Sequence, residues 1–218
     1  MDEVLVGIYG ASGFGREVLP LVREQLKGKN AEFVFVDDGD LPSSLNGYSI
    51  LRYDDFLHHA ARDKRLVFAI ANSAVREKLA DKCVRDNIPT LSVRAANAVI
   101  LDEVSMGEGS IICHFTQLTS NIRIGKYFHA NIYSYVAHDC VIGDYVTFAP
   151  AVSCNGNVVI EDHAYIGTGA VIKQGTPEKP LVVGKGATVG MGAVVTKSVP
   201  AGITVVGNPA RVLEHRRA

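Results

Sequence analysis

The sequence has almost no net charge, −1 from 22 Lys and Arg against 23 Asp and Glu, and no block of basic residues. An electrostatic footprint for nucleic acid is therefore not expected. No apolar stretch approaches the ~18 residues that a membrane span requires, and the first residues run into a strand pattern rather than a signal peptide. Cysteine is scarce, and Cys83, Cys113, Cys140 and Cys154 form neither a CxxC pair nor a zinc-type spacing. All four fall on apolar faces, which predicts buried free thiols and a reducing, cytoplasmic setting. Hydrophobic residues make up 47% and charged residues 21% of the 218, enough to bury a core and exclude wholesale disorder. That length suits one large domain or two modest ones.

Residues 1–97 read as a small α/β unit. Val4–Tyr9 is an apolar strand run that meets the glycine cluster Gly10-Ala11-Ser12-Gly13-Phe14-Gly15. Helical spacing follows at Val18, Leu19, Val22 and Leu26, with Pro20 awkward inside it. Phe33–Val36 is a second strand ending in Asp37-Asp38, Asp54 is placed to cap a helix over 55–62, and Leu66–Ala71 is a third strand. Ser73 is placed to cap a helix with Val75, Leu79 and Val84 on one side. Between strand and helix, the glycine loop suits phosphate held by backbone N–H groups. Tight packing explains the same glycines equally well. The spacing GxxGxG is not the dinucleotide GxGxxG, so a nucleotide-linked substrate fits better than NAD. Asp37-Asp38 stands where acidic residues of such units read a ribose or base.

Residues 98–218 lose the helical period and gain another. Every sixth residue from Ile100 is apolar: Ile100, Met106, Ile112, Leu118, Ile124, Ala130, Val136, Ile142, Phe148, Cys154, Ile160, Ile166 and Ile172. The position two residues earlier is mostly small or aliphatic, with Phe128 the bulky exception, and Gly107, Gly125, Gly143 and Gly167 follow the apolar residue. After the loop Gln174–Pro180 the pattern resumes one residue out of register at Val183, Val189 and Val195. A six-residue period fits short strands joined by tight turns, three to a coil, stacked as a triangular prism. Glycine or Asn supplies the turn conformations that β-branched residues resist. In this frame Cys140 and Cys154 point inward, where a thiol is packed and unreactive. His138 points outward, suited to taking a proton from an incoming amine or hydroxyl, with Asp139 placed to orient it. A solvated or interface histidine is the plainer alternative. His114, His129 and His163 read as surface or interface residues, and no two prism histidines stand close enough for a zinc site. Outward Phe115, Tyr127, Tyr133 and Tyr135 predict a subunit interface.

The repeat resembles the hexapeptide-repeat acyltransferases. That resemblance implies a left-handed parallel β-helix, a homotrimer, and acetyl-coenzyme A in a groove between adjacent prisms. The order of motifs over the whole chain is similar to bacterial sugar acetyltransferases of the PglD/NeuD type. It comprises the loop Gly10–Glu17, the strand ending in Asp37-Asp38, the turn Ile70-Ala71-Asn72 with Arg76 after it, and the prism carrying His138-Asp139-Cys140. What this implies is direct N-acetylation, by acetyl-coenzyme A and without a metal, of the 4-amino group of a UDP-4-amino-4,6-dideoxy-N-acetylhexosamine in surface-glycan (bacillosamine-type) biosynthesis. His138 is then the general base and Asp139 its partner. Ser12, Gly13 and Phe14 approach the sugar nucleotide, Asp37 and Asp38 read uracil and ribose, Ala71 lies near the nucleotide, and Asn131 places the acceptor. The coenzyme runs along coil edges near Thr147, Thr168 and Met191, and Val206–Arg211 closes its groove, with Arg211 on a phosphate. Two departures bear on the acceptor: Phe14 stands where bacillosamine-pathway members often carry His, and Asp139 where the partner is often Glu. The rival readings are an O-acetyltransferase of sialic acid or a capsular sugar, and a non-enzymatic nucleotide-sugar-binding scaffold.

Overall fold

The computed structural model describes residues 3–214, and the chain divides into two compact units between Ala96 and Asn97. The first unit comprises β1 (Val4–Tyr9), α1 (Gly13–Gln25), β2 (Ala31–Val36), β3 (Ser44–Leu45), β4 (Tyr48–Leu51), α2 (Tyr53–His58), β5 (Asp63–Phe68) and α3 (Ser73–Arg85). The strands lie in the order β3-β4-β2-β1-β5, with β1 parallel to both β2 and β5. Flanked by a parallel strand on each side, β1 is the most apolar of the set, as a parallel strand covered on both faces must be. Pro20 sits inside α1 and removes one helical donor, while Val18, Leu19, Leu21 and Val22 bury the opposite turns and hold the helix on the sheet.

The structure departs from the local sequence signals in three places. The antiparallel pair β3–β4 was not expected, although Asn46-Gly47, with φ of 51° and 81°, is the turn chemistry of a tight hairpin. α2 begins at Tyr53 rather than after Asp54, because Tyr53 and Phe56 bury one face and the Asp38 carboxylate accepts the Tyr53 amide at 2.9 Å. α3 is capped by Asn72, whose Oδ1 accepts from the Val75 amide at 3.0 Å, and Ser73 is its first helical residue. Its buried face is Arg76, Ala80 and Cys83, leaving Val75 and Val84 exposed. The apolar stripe misled because a buried arginine holds the inner face.

The second unit is the left-handed parallel β-helix. Each two- or three-residue strand pairs in parallel with those one coil away: Gln117 with Val99 and Tyr135, Ile124 with Met106 and Ile142, His129 with Ile111 and Thr147. Inward hexad residues from Ile112 to Ile172 are all buried. Ile100 and Met106 are the exceptions, since they lie on the outermost strands of their sheets, and Met106 is 39% exposed. At the opposite end Thr204–Val206 pairs antiparallel with Arg211–Val212.

The three edges of the prism correct the reading of its glycines. Left-handed φ falls at Glu103, Asn121, Asp139 and Asn157 on one edge, at Phe115, Tyr133, Ala151 and Gly169 on the second, and at Gly109, Tyr127, Tyr145, His163 and Gly186 on the third. Gly107, Gly125, Gly143 and Gly167 are not among them. They are required by close approach of the next coil: a Cβ on Gly143 would lie 2.5 Å from Asp162 Oδ1 and 2.6 Å from the Asp162 amide. Stacked corner side chains then tie coil to coil. Tyr127 lies on Tyr145 at 5.0 Å and Tyr145 on His163 at 5.3 Å, with offset stacking adding about 0.5–1.5 kcal/mol per pair beyond area burial. Tyr127 is thereby buried, not an outward interface residue, and His129 is fully buried as well.

Candidate active site

After the strand Tyr135–Val136 the chain turns through Ala137, His138 and Asp139. Asp139 takes φ 59°, with Asn121 and Asn157 at the equivalent corners on either side, both at φ 55°. This is a conformation that Asp and Asn tolerate better than most residues. The corner turns the carboxylate back onto its neighbour: His138 Nδ1 lies 2.7 Å from Asp139 Oδ2, and Asn121 Nδ2 donates to Oδ1 at 3.3 Å. A carboxylate only accepts, so Nδ1 carries a proton, and in the neutral ring Nε2 is the nitrogen with the free lone pair. The hydrogen bond from His138, supported by Asn121, holds the Asp139 carboxyl below the usual carboxylate range. Both side chains are about half exposed, 48% and 46%, so a substrate can reach them.

One coil from His138 stands Gly156. A Cβ there would lie 2.6 Å from His138 Cε1, 2.7 Å from Nε2 and 3.0 Å from Nδ1, so the imidazole packs directly against the glycine backbone. The hexad template did not mark Gly156, which lies two residues past inward Cys154 rather than one. The available signal was its spacing from His138, one full coil. Cys140 and Cys154 are buried, as their inward positions require.

In the first unit, packing separates the glycines of the loop. Gly10 has φ 108°, and a Cβ on Gly15 would overlap the Gly10 carbonyl oxygen. Gly13 has open space, with nothing nearer its Cβ position than an Arg16 nitrogen at 3.9 Å. Ser12 is the N-cap of α1, and its side chain makes no capping bond. Ser12 and Gly13 are exposed and Phe14 is half-buried, at a helix start whose first amides have no helical acceptor.

The acidic pair is already engaged within the unit. Asp37 accepts from the Ala11 amide at 2.9 Å and the Gly39 amide at 3.0 Å, which ties the glycine loop to the end of β2. Asp38 accepts from the Tyr9 hydroxyl at 2.6 Å and the Tyr53 amide. Desolvation by itself raises the Asp38 carboxyl, but these two hydrogen bonds outweigh it and leave the group lowered. Burial, with the same contact to Asp38, pushes the Tyr9 phenol far up. Ala71 is exposed, and its carbonyl and that of Ile70 accept from the fully buried Arg76 at 3.3 and 2.6 Å.

The remaining residues expected to act with His138 lie elsewhere on the prism. Asn131, Thr168 and Met191 follow strands of the next sheet face, on a different edge from His138. One side of the prism, about five or six extended residues, spans roughly 15–20 Å, so a single chain does not bring the two edges together. Asn131 donates to the Phe148 carbonyl at 2.9 Å, Thr147 is buried, Thr168 is exposed and Met191 is 80% exposed. Arg211 lies on the antiparallel end strand, donating to the Ala210 carbonyl at 2.9 Å. Among the described residues, no group of three His, Cys, Asp or Glu is placed to hold a metal ion.

Residues 6–83 match the PglD N-terminal domain family. The chain is 50% identical over 213 residues, 96% of each sequence, to GDP-perosamine N-acetyltransferase of Escherichia coli O157:H7. Among solved structures, WeeI from Acinetobacter baumannii AYE is 66% identical, with a TM-score of 0.93 over 96% of this chain and 100% of that one. The acetyltransferase domain of PglB from Neisseria gonorrhoeae FA1090, in complex with acetyl coenzyme A, is 26% identical, with a TM-score of 0.85 over 96% and 98%.

Proposed function

This chain belongs to the sugar N-acetyltransferases of the hexapeptide-repeat superfamily, and we propose that it transfers the acetyl group of acetyl-coenzyme A to the 4-amino group of a nucleotide-activated 4-amino-4,6-dideoxy sugar. The observation that carries the mechanism is the 2.7 Å hydrogen bond from His138 Nδ1 to Asp139, which leaves Nε2 as base. The neutral amine attacks the thioester carbonyl, the C–N bond forms and the C–S bond breaks. His138 takes the amine proton and returns it to the departing thiolate, giving free coenzyme A. Asp139 fixes the tautomer and stabilises the imidazolium.

The open helix start at Ser12, Gly13 and Phe14 supports binding of the sugar-nucleotide diphosphate there. Asp37 and Asp38 act first by shaping that loop and the start of α2, and their free lone pairs face the base and ribose; Ala71 borders the same site. Coenzyme A follows the edge carrying Thr168 and Met191, near Thr147, Asn131 and Arg211. That edge meets His138 only if it belongs to a neighbouring copy, which supports a trimer with shared sites. Exposed Phe115 and Tyr133, stacked at 4.9 Å, fit such an interface. Four free buried cysteines fit a cytoplasmic location, and among the described residues no helix is long and apolar enough to cross a membrane.

Uridine is the nucleoside implied by the motif order, and guanosine is the second reading, favoured by the name of the 50% identical relative. Thiol release from acetyl-coenzyme A is measured with a UDP-4-amino-4,6-dideoxy-N-acetylhexosamine, GDP-perosamine, CMP-sialic acid and free sialic acid. Release with one of the two amino sugars, lost in His138→Ala, supports the proposal and identifies the nucleoside. Release only with a sialic acid overturns it in favour of a hydroxyl acceptor. A monomeric mass in solution sinks the shared site.

A further inference from the structure

The buried face of α3 consists of Arg76, Ala80 and Cys83, and Arg76 is 0% exposed. Burying a guanidinium costs free energy that an aliphatic side chain at the same position would not, so packing alone does not account for it. What the group does is visible at the turn after β5. Its Nη1 donates to the Ile70 carbonyl at 2.6 Å and to the Ala71 carbonyl at 3.3 Å.

That turn stands where an open parallel sheet takes its ligand. From β1 the chain passes to β2 and then β4 on one side, and it returns to β5 on the other. The strand order therefore reverses between β1 and β5, and the crevice lies outside the carboxyl ends of those two strands. One wall is the glycine loop after β1, and the other is the turn over residues 69–72. The two walls abut. The Ala69 amide donates to the Tyr9 carbonyl at 2.9 Å, and a Cβ on Gly10 would lie 2.8 Å from the Ala69 carbonyl oxygen and 3.2 Å from Ile70 Cγ1. Asp37 fixes the first wall through the Ala11 amide, and Arg76 is the matching tie of the second.

The direction of that tie decides what the turn offers. The peptide units joining Ile70, Ala71 and Asn72 are trans, and a trans peptide sets its C=O and N–H in opposite directions. With the Ile70 and Ala71 carbonyls drawn in towards the buried guanidinium, the amides of Ala71 and Asn72, which share those two units, turn the other way. Both residues are exposed. Successive N–H groups aimed to one side form a concavity for an oxygen acceptor. We propose that Arg76 is a positioning residue of the nucleotide-sugar site: it touches no ligand, and it presents the Ala71 and Asn72 amides to an oxygen of the nucleotide, on the base or on the diphosphate. This rests on the acceptor reading above and adds to it the group that holds the second wall in shape.

The test uses the full chain and whichever amino-sugar nucleotide the wild type accepts. Wild-type thiol release with neither amino sugar overturns the acceptor reading itself. Arg76→Met keeps the length and removes the donors. It is expected to raise the KM for the sugar nucleotide about 5- to 50-fold, because two hydrogen bonds are no longer aimed, while the KM for acetyl-coenzyme A and kcat stay within about threefold. Arg76→Lys keeps a charged donor and should fall between Arg76→Met and wild type. Ala80→Gly weakens the same helix face without touching the turn; it should lower Tm and leave the KM for the sugar nucleotide within about twofold. Inhibition by the nucleoside diphosphate and by the nucleoside alone locates the oxygen: weakening of both in Arg76→Met assigns the base, and weakening of the diphosphate only assigns the phosphates; either supports the proposal. It is overturned if neither Arg76 variant moves the KM for the sugar nucleotide, if Ala80→Gly moves it as far, or if the KM for acetyl-coenzyme A rises as much. Should Arg76→Met fail to fold, Arg76→Lys set against Ala80→Gly decides by the same criteria.

Discussion

Replacing Gly156 by alanine tests the catalytic geometry without removing a functional group. The backbone at Gly156 is not in the left-handed region, so alanine adopts its conformation. Its Cβ then falls 2.6 Å from His138 Cε1, where ordinary contact begins at 3.4 Å, and the ring must retreat by about 0.8 Å. That is enough to break the alignment of the 2.7 Å bond to Asp139 and to misplace Nε2. A misplacement of about 1 Å costs on the order of 100-fold in rate, or ~2.7 kcal/mol of transition-state stabilisation. Stability should move the other way or not at all. His138 is half exposed and free to swing out, and Gly→Ala restricts the unfolded chain by about 0.4–1 kcal/mol. Thiol release at saturating donor and acceptor, read beside a thermal melt, should therefore show kcat down about 30- to 100-fold with Tm unchanged or raised. In the double variant with His138→Ala, the second substitution should add almost nothing, because both act through one ring. A Gly156→Ala enzyme within threefold of wild type would refute the reasoning.

His138→Ala should lower turnover by about 100- to 10,000-fold, and Asp139→Asn by a smaller factor, since an amide can donate as well as accept and no longer fixes the tautomer; equal activity in either variant counts against the pair. Gly143→Ala should destabilise the β-helix by about 1–3 kcal/mol through overpacking against the next coil, read as a Tm lower by roughly 2–12 °C. Asp38 gives a pH signature. Its folded pKa is lowered, so its contribution is fully present above the unfolded aspartate value of about 3.9 and is lost as pH falls through the lower folded value. Asp38→Asn should therefore be less stable than wild type in denaturant at pH 7, with the gap closing below about pH 4; a gap of constant size would contradict the assignment.

The second unit was largely legible because its repeat is a geometric instruction. An apolar residue every sixth position fixes which side chains face inward, and from that His138 and Asp139 follow as outward neighbours. What stayed hidden depends on contacts one coil apart. The glycines after the inward positions looked like turn formers, yet what they provide is room for the next coil. Tyr127 looked exposed because its hexad position is a corner, and it is buried by stacking on Tyr145 eighteen residues on. Gly156 carried no motif at all. In the first unit the strands were evident from apolar runs, whereas the capping roles were not. Asp38 takes the first amide of α2 from fifteen residues away, and Arg76 occupies the inner face of α3, so local propensity pointed to Asp54 and to the valines instead.

A parallel solenoid has a hazard that its coils cannot remove by themselves: the last strand offers the same unpaired edge that each earlier coil used to recruit its successor. Another molecule could dock there end to end and continue the stack indefinitely. The closing strand Arg211–Val212 runs antiparallel to Thr204–Val206, with Val205 facing Val212 and Val206 facing Arg211. Reversing direction changes the phase of the hydrogen-bonding groups on that face, so an incoming coil of the parallel kind no longer finds its template. A few residues of reversed chain thus close one of the three sheets of the prism against such stacking.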